Sequence, residues 1–308
     1  MADRGPRVVV APADRLVHLV DAVVAGGGVP SGPAEAEAAV WTAHDDPAGL
    51  AALLDAHAGL RWVQLPWAGI EPYVHVVRDH ADRVWTCGKG VYAEPVAEHA
   101  LALALAGLRS LDRYARARTW TGQRGRNLAD ARVTILGGGG IARSLLRMLG
   151  PFAPEVTVVR STPSAMAGAA RVVGTAETDA ALSGAEVVVL ALPLLPDTRH
   201  VIDRRRLGLL APGAVLVNVA RGEHVATDDV VAALRDGTLG SAGLDVTDPE
   251  PLPDGHPLWD LPGAIVTPHT ANTPAMARPL LAARVRENVR RWAAGEPLVG
   301  GVDPGRGY

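Results

Sequence analysis

The stretch TILGGGGIARSLL (residues 134–146) decides how the rest of the sequence is interpreted. It runs from an apolar, strand-like segment through four consecutive glycines into a helical pattern. Gly137, Gly139 and Ala142 have the spacing G-x-G-x-x-A, which between a strand and a helix is typical of dinucleotide binding. The first glycine permits the tight turn, the second lets the backbone approach a pyrophosphate, and Ala142 allows close helix packing. The stretch predicts a dinucleotide site, with a plain strand–helix connector as the alternative.

Further apolar runs of strand length follow along the chain. They are RVTILG (132–137), EVTVVR (155–160), AEVVVLAL (185–192), GAVLVNVA (213–220), GSAGLDV (240–246) and GAIVTPH (263–269). Helical patterns such as IARSLLRML (141–149) and TDDVVAALRDG (227–237) separate most of them. Strands that are apolar throughout and alternate with helices indicate a parallel sheet covered on both faces. The sequence therefore predicts an α/β fold with a doubly wound parallel sheet.

The N-terminal part of the sequence carries weaker signals of the same kind. RVVVA (7–11) is predicted as a first strand and LRWVQL (60–65) as a second, with turn-rich segments at 25–33 and 44–49. A long helix is predicted over 94–120, and its early part is apolar nearly all round. Such a helix is either buried inside one domain or enters a subunit interface.

Composition limits the possible partners. The chain has 308 residues, 48% of them hydrophobic and 20% charged, with a formal net charge of −3. These values exclude a disordered chain and a coiled coil, and the lack of basic excess argues against nucleic-acid binding. The single cysteine, Cys87, excludes an intrachain disulfide and a cysteine-rich zinc site. No signal peptide or membrane-length apolar run is present, so a cytoplasmic protein is expected. A bound metal is not expected.

The strand that follows the glycine loop predicts which dinucleotide is bound. It ends in VVRSTPS (158–164), which places Arg160, Ser161 and Thr162 where an NAD-binding chain would carry an acid for the ribose hydroxyls. An arginine with hydroxyl neighbours suits a 2′-phosphate instead. The sequence therefore favours NADP over NAD, with a solvent-exposed loop arginine as the alternative.

Three later strands each end in chemically useful residues. Arg221 follows the strand over 213–220, Asp245 and Glu250 follow the next one, and His269 ends the last one. Ligands of open parallel sheets bind beyond the carboxyl ends of the strands. An arginine, an acid and a histidine at one edge form a plausible set for reducing a 2-oxo acid.

These stretches together resemble the D-isomer-specific 2-hydroxyacid dehydrogenase family, most closely its glyoxylate/hydroxypyruvate reductase branch. The resemblance covers nearly the whole chain. The segments that carry it are GVYAEPVAEHALAL (90–103), TILGGGGIA (134–142), ALPLLPDTRHVI (191–202), VLVNVARGEHV (215–225), AGLDVTDPEPLP (242–253), HPLWDLP (256–262) and VTPHTA (266–271).

The resemblance implies two Rossmann-like, doubly wound parallel-sheet domains with the active site in the cleft between them. A substrate-binding domain would comprise residues 1–97 plus 282–308, and a dinucleotide-binding domain residues 98–281. A further helix, predicted over 273–295 and interrupted by Pro279, would carry the chain back to the first domain. The resemblance also implies a homodimer.

Residue roles follow from the same resemblance. Arg221 corresponds to the arginine that binds the substrate carboxylate and polarises the 2-oxo group, and His269 to the proton donor in reduction. Glu250 corresponds to the acid that hydrogen-bonds this histidine, and we expect it to stabilise the protonated imidazole and fix its orientation. The implied substrate-binding residues are Trp67, Ala68, Gly69, Arg221 and His269. The implied cofactor-binding residues are Gly137, Gly139, Gly140, Ile141, Arg160, Ser161, Thr162, Leu192, Pro193, Thr198, Val219, Ala220, Arg221, Asp245, His269 and Ala271.

Some positions depart from the family pattern or allow two interpretations. Trp67 stands where the family often has a small residue, and it either narrows the substrate pocket or covers the core. Asp245 contacts either the cofactor or its own loop. We expect Cys87 to be a buried small residue and His99 to be a packing or hinge residue rather than a catalyst.

Two alternative functions remain open at this stage. The same chemistry could act on a longer 2-oxo acid, a phosphoglycerate-like acid or phosphite. A dinucleotide-sensing protein that acts through partners, like the corepressors of this family, is the alternative from a different class.

Overall fold

The computed structural model describes residues 5–13 and 18–305, which form two compact units. The first comprises the described residues of Met1–Tyr92 and Thr273–Tyr308, and the second comprises Ala93–Asn272.

Strands and helices alternate along most of the chain. The strands are β1 (Arg7–Ala11), β2 (Val29–Pro30), β3 (Ala38–Trp41), β4 (Trp62–Gln64), β5 (Val84–Thr86), β6 (Arg132–Leu136), β7 (Glu155–Val159), β8 (Arg171–Val173), β9 (Val187–Leu190), β10 (Ala214–Asn218), β11 (Leu239–Leu244) and β12 (Ala264–Val266). The helices are α1 (His18–Ala25), α2 (Pro47–Ala56), α3 (Val74–Asp79), α4 (Ala93–Leu108), α5 (Leu111–Arg116), α6 (Gly140–Leu149), α7 (Thr178–Leu182), α8 (Arg204–Leu207), α9 (Thr227–Asp236) and α10 (Pro274–Ala293).

The first unit is built on a five-stranded parallel sheet with strand order β2-β1-β3-β4-β5. One face is covered by α1 and α10, where Val8 and Trp62 pack with Val285. The other face is covered by α2 and α3, where Val63 packs with Leu50. Burial on both faces explains why these short strands carry so few polar residues.

The second unit is built on a seven-stranded parallel sheet with strand order β12-β11-β10-β9-β6-β7-β8. The strand order reverses between β6 and β9, whose residues pair from Val133 with Val187 to Leu136 with Leu190. Helices α4 and α6 pack on one face, and α7, α8 and α9 pack on the other. The prediction of a doubly wound parallel sheet is confirmed, and a reversal of strand order is where such sheets bind ligands.

Four strands are missing from the sequence prediction: β2, β3, β5 and β8. The predicted second strand, 60–65, is the fourth, because β2 lies within the segment 25–33 that was expected to be turns, and β3 follows at 38–41. The residues before and within β3, EAEAAVW, are mostly helix formers, and tertiary packing overrides this preference. The short edge strand β8 has only three residues and leaves no periodic signal.

The helix predicted over 94–120 is wrong as a single element. Helix α4 ends at Leu108, and Ser110 adopts the left-handed conformation with φ of 53°, which an α-helix cannot accommodate. Helix α5 then runs only to Arg116, because Ala117 is extended. Residues 117–127 contain no helix or strand.

The predicted interruption at Pro279 is also wrong, because α10 continues through it. Proline removes one backbone donor and fixes a φ that a helix accepts. Packing of Ala277, Leu281 and Val285 on both sides of the proline holds the helix together.

The unit boundaries differ from the predicted ones. Boundaries after residues 97 and 281 would cut through α4 and α10, whereas the units divide just before these helices begin. A helix packs as a whole, so the division falls in the connection that precedes it. Within residues 5–13 and 18–305, no helix is long and apolar enough to cross a membrane.

Candidate active site

The predicted site residues of the second unit follow neighbouring strands of its sheet. The glycine loop follows β6, Arg221 follows β10, Asp245 directly follows β11, and His269 follows β12. The strands β10, β11 and β12 are adjacent and parallel. Their carboxyl ends therefore lie at one edge of the sheet, which is the edge where open α/β sheets bind ligands.

The glycine loop has the geometry of a phosphate cradle. Gly137 has a φ of 114°, and a Cβ there would lie 2.1 Å from the carbonyl oxygen of Ala191, so only glycine fits. Gly139 has open space where a side chain would stand, and α6 begins directly after it. The loop therefore leaves room for a pyrophosphate at the N-terminus of a ten-residue helix. Ala142 is fully buried beneath the loop, as close helix packing requires.

Arg160 lies across the glycine loop. A Cβ added at Gly138 would come 2.7 Å from Cδ and 2.8 Å from Nε of Arg160, so the arginine stem occupies the space over this glycine. Nη1 of Arg160 donates to the hydroxyl of Ser164 at 3.1 Å. Ser161 and Thr162 are exposed beside it. A guanidinium and several hydroxyls therefore lie together at the end of β7.

The turn that carries Arg221 is fixed by buried polar groups. The fully buried Asn218 donates from Nδ2 to the carbonyl of Arg221 at 2.8 Å and accepts the amide of Ala220 at 3.1 Å. A Cβ on Gly222 would lie 1.9 Å from the carbonyl oxygen of Thr247, so this turn packs directly on the loop after β11. The Arg221 turn and the Glu250 loop are therefore built against each other.

The side chains of His269 and Glu250 are hydrogen-bonded to each other. Nδ1 of His269 lies 2.7 Å from Oε1 of Glu250, and the two side chains are 54% and 42% exposed. His269 has a φ of 50°, which is uncommon for a residue with a Cβ and is maintained by the surrounding loop. The pair places one ring nitrogen on the carboxylate and leaves Nε2 for chemistry.

Asp245 holds the loop that carries His269. Its carboxylate is 2% exposed and accepts the Thr267 hydroxyl at 2.6 Å and the amides of Thr270 and Ala271 at 2.9 and 3.0 Å. Burial raises the pKa of Asp245, but hydrogen bonds from His99, Thr267 and the two amides outweigh burial and lower it overall. The main chain of Asp245 also accepts the amide of His269 at 2.8 Å. Asp245 is thus a contact of its own loop in this structure.

His99 joins this network from α4. Its Nε2 lies 3.0 Å from the Thr267 hydroxyl and 3.4 Å from Oδ1 of Asp245. The sequence analysis predicts that His99 is a packing or hinge residue rather than a catalyst. The structure gives it a polar contact with the loop of His269.

The other predicted cofactor residues line the same sheet edge or support its loops. The hydroxyl of Thr198 donates to the Pro193 carbonyl at 2.9 Å and accepts the Leu195 amide at 2.7 Å, so it shapes the loop after β9. Leu192 is partly buried in that loop, and Ile141 is partly buried in the first turn of α6. Three more follow β10 or β12: Val219, Ala220 and Ala271, all buried.

The predicted substrate loop, Trp67–Ala68–Gly69, belongs to the first unit. The Trp67 ring lies between His44 and Tyr92, at centroid distances of 5.8 and 5.6 Å. Its carbonyl accepts the amide of Gly88 at 2.8 Å. Cys87 is buried, as predicted, and burial raises the pKa of its thiol. Among the described residues, no cluster of three or more His, Cys, Asp or Glu side chains is arranged to hold a metal.

The sequence analysis did not select three residues of this sheet edge: Gly138, Asn218 and His224. Asn218 and His224 stand inside NVARGEHV, next to the arginine that was selected, and their polar character in a buried stretch was the available signal. Gly138 carries no signal of its own, because its role depends on Arg160, which lies on another strand.

Comparison with known proteins agrees with this geometry. Residues 99–271 match the family described as D-isomer specific 2-hydroxyacid dehydrogenase, NAD binding domain. A glyoxylate/hydroxypyruvate reductase A from Serratia proteamaculans is 33% identical over 70% of this chain and 69% of its own length.

Solved structures extend the similarity to nearly the whole chain. A D-isomer specific 2-hydroxyacid dehydrogenase from Xanthobacter autotrophicus Py2, in complex with NADPH and MES, superposes with a TM-score of 0.83 at 31% identity. It covers 99% of this chain and 100% of its own. An NADPH-dependent glyoxylate/hydroxypyruvate reductase from Sinorhizobium meliloti, with NADP and sulfate, gives 0.78 at 26% identity, covering 98% and 100%.

Proposed function

Because the chain belongs to the D-isomer specific 2-hydroxyacid dehydrogenase family and is an NAD(P)-dependent oxidoreductase, we propose that it reduces a small 2-oxo acid of the glyoxylate or hydroxypyruvate type to the D-2-hydroxy acid. The observation that carries this proposal is the hydrogen bond between His269 and Glu250. It lies at the sheet edge that also holds the Arg221 turn and the glycine loop. Relatives with this activity, one of them from Serratia proteamaculans, support the choice of substrate.

His269 is the proton donor of the proposed reaction. NAD(P)H, which the glycine loop and Arg160 would hold, would supply the hydride that adds to carbon 2 of the substrate and breaks the carbonyl π bond, so that negative charge would develop on the substrate oxygen. Nε2 of His269 gives its proton to this oxygen, while Nδ1 stays on Glu250. The carboxylate compensates the charge of the imidazolium before transfer and holds the ring in one orientation.

Arg221 has two tasks in this scheme. Its guanidinium binds the substrate carboxylate and lies near the oxygen on which charge develops, where a fixed cation lowers the barrier. Asn218 and the packing of Gly222 on Thr247 hold the main chain of this turn in place before substrate arrives. In the first unit, the amides of Ala68 and Gly69 are proposed to bind the carboxylate, and Trp67 to restrict the substrate to short acids.

We further propose that NADPH is the preferred cofactor. The guanidinium of Arg160, with Ser161 and Thr162 beside it, offers charge-assisted donors to a 2′-phosphate, and no acid stands at the end of β7 to repel one. The similar proteins from Xanthobacter autotrophicus and Sinorhizobium meliloti were solved with NADPH and NADP. Both observations support the preference.

A homodimer is the proposed assembly. Trp120 is fully exposed in the segment 117–127, which lacks helix and strand. Leu101 and Leu105 are only partly buried on α4. Exposed large apolar side chains of this kind mark interaction surfaces, and a second copy of the chain would cover them.

A substrate panel tests the proposed function. The wild-type enzyme is assayed with NADPH and with NADH against glyoxylate, hydroxypyruvate, longer 2-oxo acids and 3-phosphohydroxypyruvate, and in the oxidative direction against phosphite. The proposal expects the highest kcat/KM for one of the first two acids, with the D-2-hydroxy acid as product. Faster turnover of a longer or phosphorylated acid, or of phosphite, would reassign the substrate. Cofactor binding without turnover of any compound would favour a dinucleotide sensor.

A further inference from the structure

The imidazole of His224 is a buried titratable group that the proposed reaction does not use. Its side chain is fully buried in the 3₁₀ turn Gly222–His224, directly after Arg221. Nδ1 lies 3.1 Å from the amide nitrogen of Arg221, and Nε2 lies 3.2 Å from the carbonyl oxygen of Pro193. One ring thus touches the main chain of two loops at the sheet edge.

The hydrogen-bond partners define the protonation state of this ring. The carbonyl of Pro193 can only accept, so Nε2 carries a proton. The carbonyl of Arg221 already accepts from Asn218 and from the amide of His224, whereas the ring nitrogen Nδ1 is the partner of the Arg221 amide. Nδ1 also lies 3.1 Å from the Arg221 carbonyl oxygen, but that oxygen already has two donors. The assignment that gives every one of these groups a partner has Nδ1 accepting from the Arg221 amide, with the ring as the neutral Nε2–H tautomer.

We infer that His224 is a positioning residue that joins the Arg221 turn to the Pro193 loop and that works only as the neutral imidazole. The inference rests on the proposed function, in which Arg221 binds substrate, and on the cofactor contact that the sequence analysis predicts for Pro193. The Nδ1 bond fixes the start of the turn from which the Arg221 side chain departs. The Nε2 bond fixes the loop after β9, which Thr198 also shapes.

Protonation of His224 would change this connection. A proton on Nδ1 would remove the acceptor of the Arg221 amide and would make Nδ1 a donor toward the Arg221 carbonyl oxygen, so the contact between the ring and the turn would rearrange. Burial lowers the pKa of His224, and the charge of Arg221 lowers it further, against the raising effect of its hydrogen bonds and of Glu223. The ring therefore stays neutral at neutral pH and takes up a proton only below the range of an ordinary histidine.

The other charged groups near this turn come from the segment after β9 and the loop after β11. Arg199 reaches Glu223 at 4.0 Å and Asp248 at 3.8 Å, and the amide of His200 donates to the Glu223 carbonyl. Their side chains pair with one another and do not hydrogen-bond the His224 ring. The ring's bonds are to main-chain groups of Arg221 and Pro193, and the acid sensitivity is assigned to His224 itself.

Two substitutions test the two hydrogen bonds of the His224 ring one at a time. His224→Asn keeps an oxygen near the position of Nδ1 and loses the reach to Pro193. His224→Gln keeps a donor near the position of Nε2 and loses the acceptor for the Arg221 amide. Small displacements of positioning groups can cost up to about 100-fold. We expect the glutamine variant to raise the substrate KM roughly 5- to 30-fold, and the asparagine variant to weaken NADPH binding by a smaller factor.

His200→Asn is the matched control, because His200 is exposed on the neighbouring segment and asparagine tolerates its φ of 49°. Its kinetics should equal those of the wild type. In the wild type, kcat/KM should decrease as the pH is lowered into the acid range. Both His224 variants should lose this acid limb of the pH profile. Their circular dichroism spectra should show that they are folded. Equal effects of the two variants on KM and on NADPH affinity, or an unchanged acid limb, would overturn the positioning role.

Histidine-selective ¹⁵N NMR of the full-length enzyme tests the protonation state without any turnover. The His224 signals are assigned by their loss in the asparagine variant. The inference expects a protonated Nε2 and an unprotonated Nδ1 at neutral pH, and a charged ring or the opposite tautomer would contradict it. If the panel shows no reduction while NMR shows this tautomer, the proposed function fails and the structural part of the inference stands.

Discussion

Nδ1 of His269 lies 2.7 Å from Oε1 of Glu250, and the two residues lie in the loops that follow the adjacent strands β12 and β11. The contact fixes which ring nitrogen is turned toward the acid and which one is available to a substrate. In the proposed reaction the histidine transfers the proton and the carboxylate holds its ring in one orientation.

Replacing Glu250 by glutamine tests this contact. Glutamine keeps an acceptor for Nδ1 but removes the charge, and a charge-assisted hydrogen bond is worth ~1.5–3 kcal/mol. Both side chains are about half exposed, so solvent weakens the effect. We expect kcat for reduction to fall roughly 10-fold with NADPH affinity unchanged, measured by steady-state kinetics and fluorescence titration. Wild-type turnover in the variant would show that the carboxylate has no part in catalysis.

Cofactor choice is tested at Arg160. A charge-assisted contact to the 2′-phosphate should make the wild type prefer NADPH over NADH by roughly 10–100-fold in kcat/KM. Arg160→Asp should reverse this order. Gly138→Ala should reduce the preference without adding charge, because its Cβ would lie 2.7 Å from Cδ of Arg160. Equal use of both cofactors by the wild type, unchanged in both variants, would mean that Arg160 is a surface residue with no part in cofactor choice.

Asp245 makes the stability of the fold depend on pH. Its pKa is lowered in the folded state, so the carboxylate stabilises the protein above the pKa of the unfolded chain. That stabilisation begins to decrease as the pH falls below the value of an ordinary aspartate, about 3.9, and is lost as the pH falls through the lower folded-state value. We expect the Tm of the wild type to fall in this acid range more than that of Asp245→Asn. The variant should also lose roughly 100-fold in kcat, because the His269 loop is displaced. Parallel Tm profiles for the two proteins would refute this assignment.

Trp120 tests the proposed homodimer. Its side chain is fully exposed, and burying an aromatic side chain of this size contributes strongly to association. Light scattering after gel filtration should give the mass of a dimer for the wild type and a shift toward monomer for Trp120→Ala. Trp259→Ala is the control, since Trp259 is also exposed and its Nε1 bonds to Pro253 within the same loop. A wild-type monomer would contradict the proposal.

Six of the seven strands of the second unit were predictable, because each of these six is a continuous apolar run, whereas β8 was missed. Reading only the residues after those runs was enough to select Arg221, Glu250 and His269. The break of the long helix at Ser110 was not predictable, because a serine gives no local signal for a positive φ. The strand β3 was missed because helix-forming residues surround it and packing decides its conformation.

The supporting contacts were harder to predict than the functional side chains. Arg160 and Gly138 lie on separate loops, and their contact exists only when β6 and β7 are side by side. The interactions of His224 likewise depend on a carbonyl from the loop after β9. Asp245 was expected to contact either the cofactor or its own loop, and only the folded chain shows its carboxylate accepting from Thr267, Thr270 and Ala271.

The most direct test compares the turnover of His269→Ala with that of the wild type. Both are assayed for glyoxylate and hydroxypyruvate reduction at saturating NADPH, following the loss of NADPH absorbance. Loss of a positioned general acid should lower kcat by roughly 10²–10⁴-fold, and the dissociation constant for NADPH should stay the same. A variant that turns over within a few-fold of the wild type would contradict the account, because the proton would then come from another group.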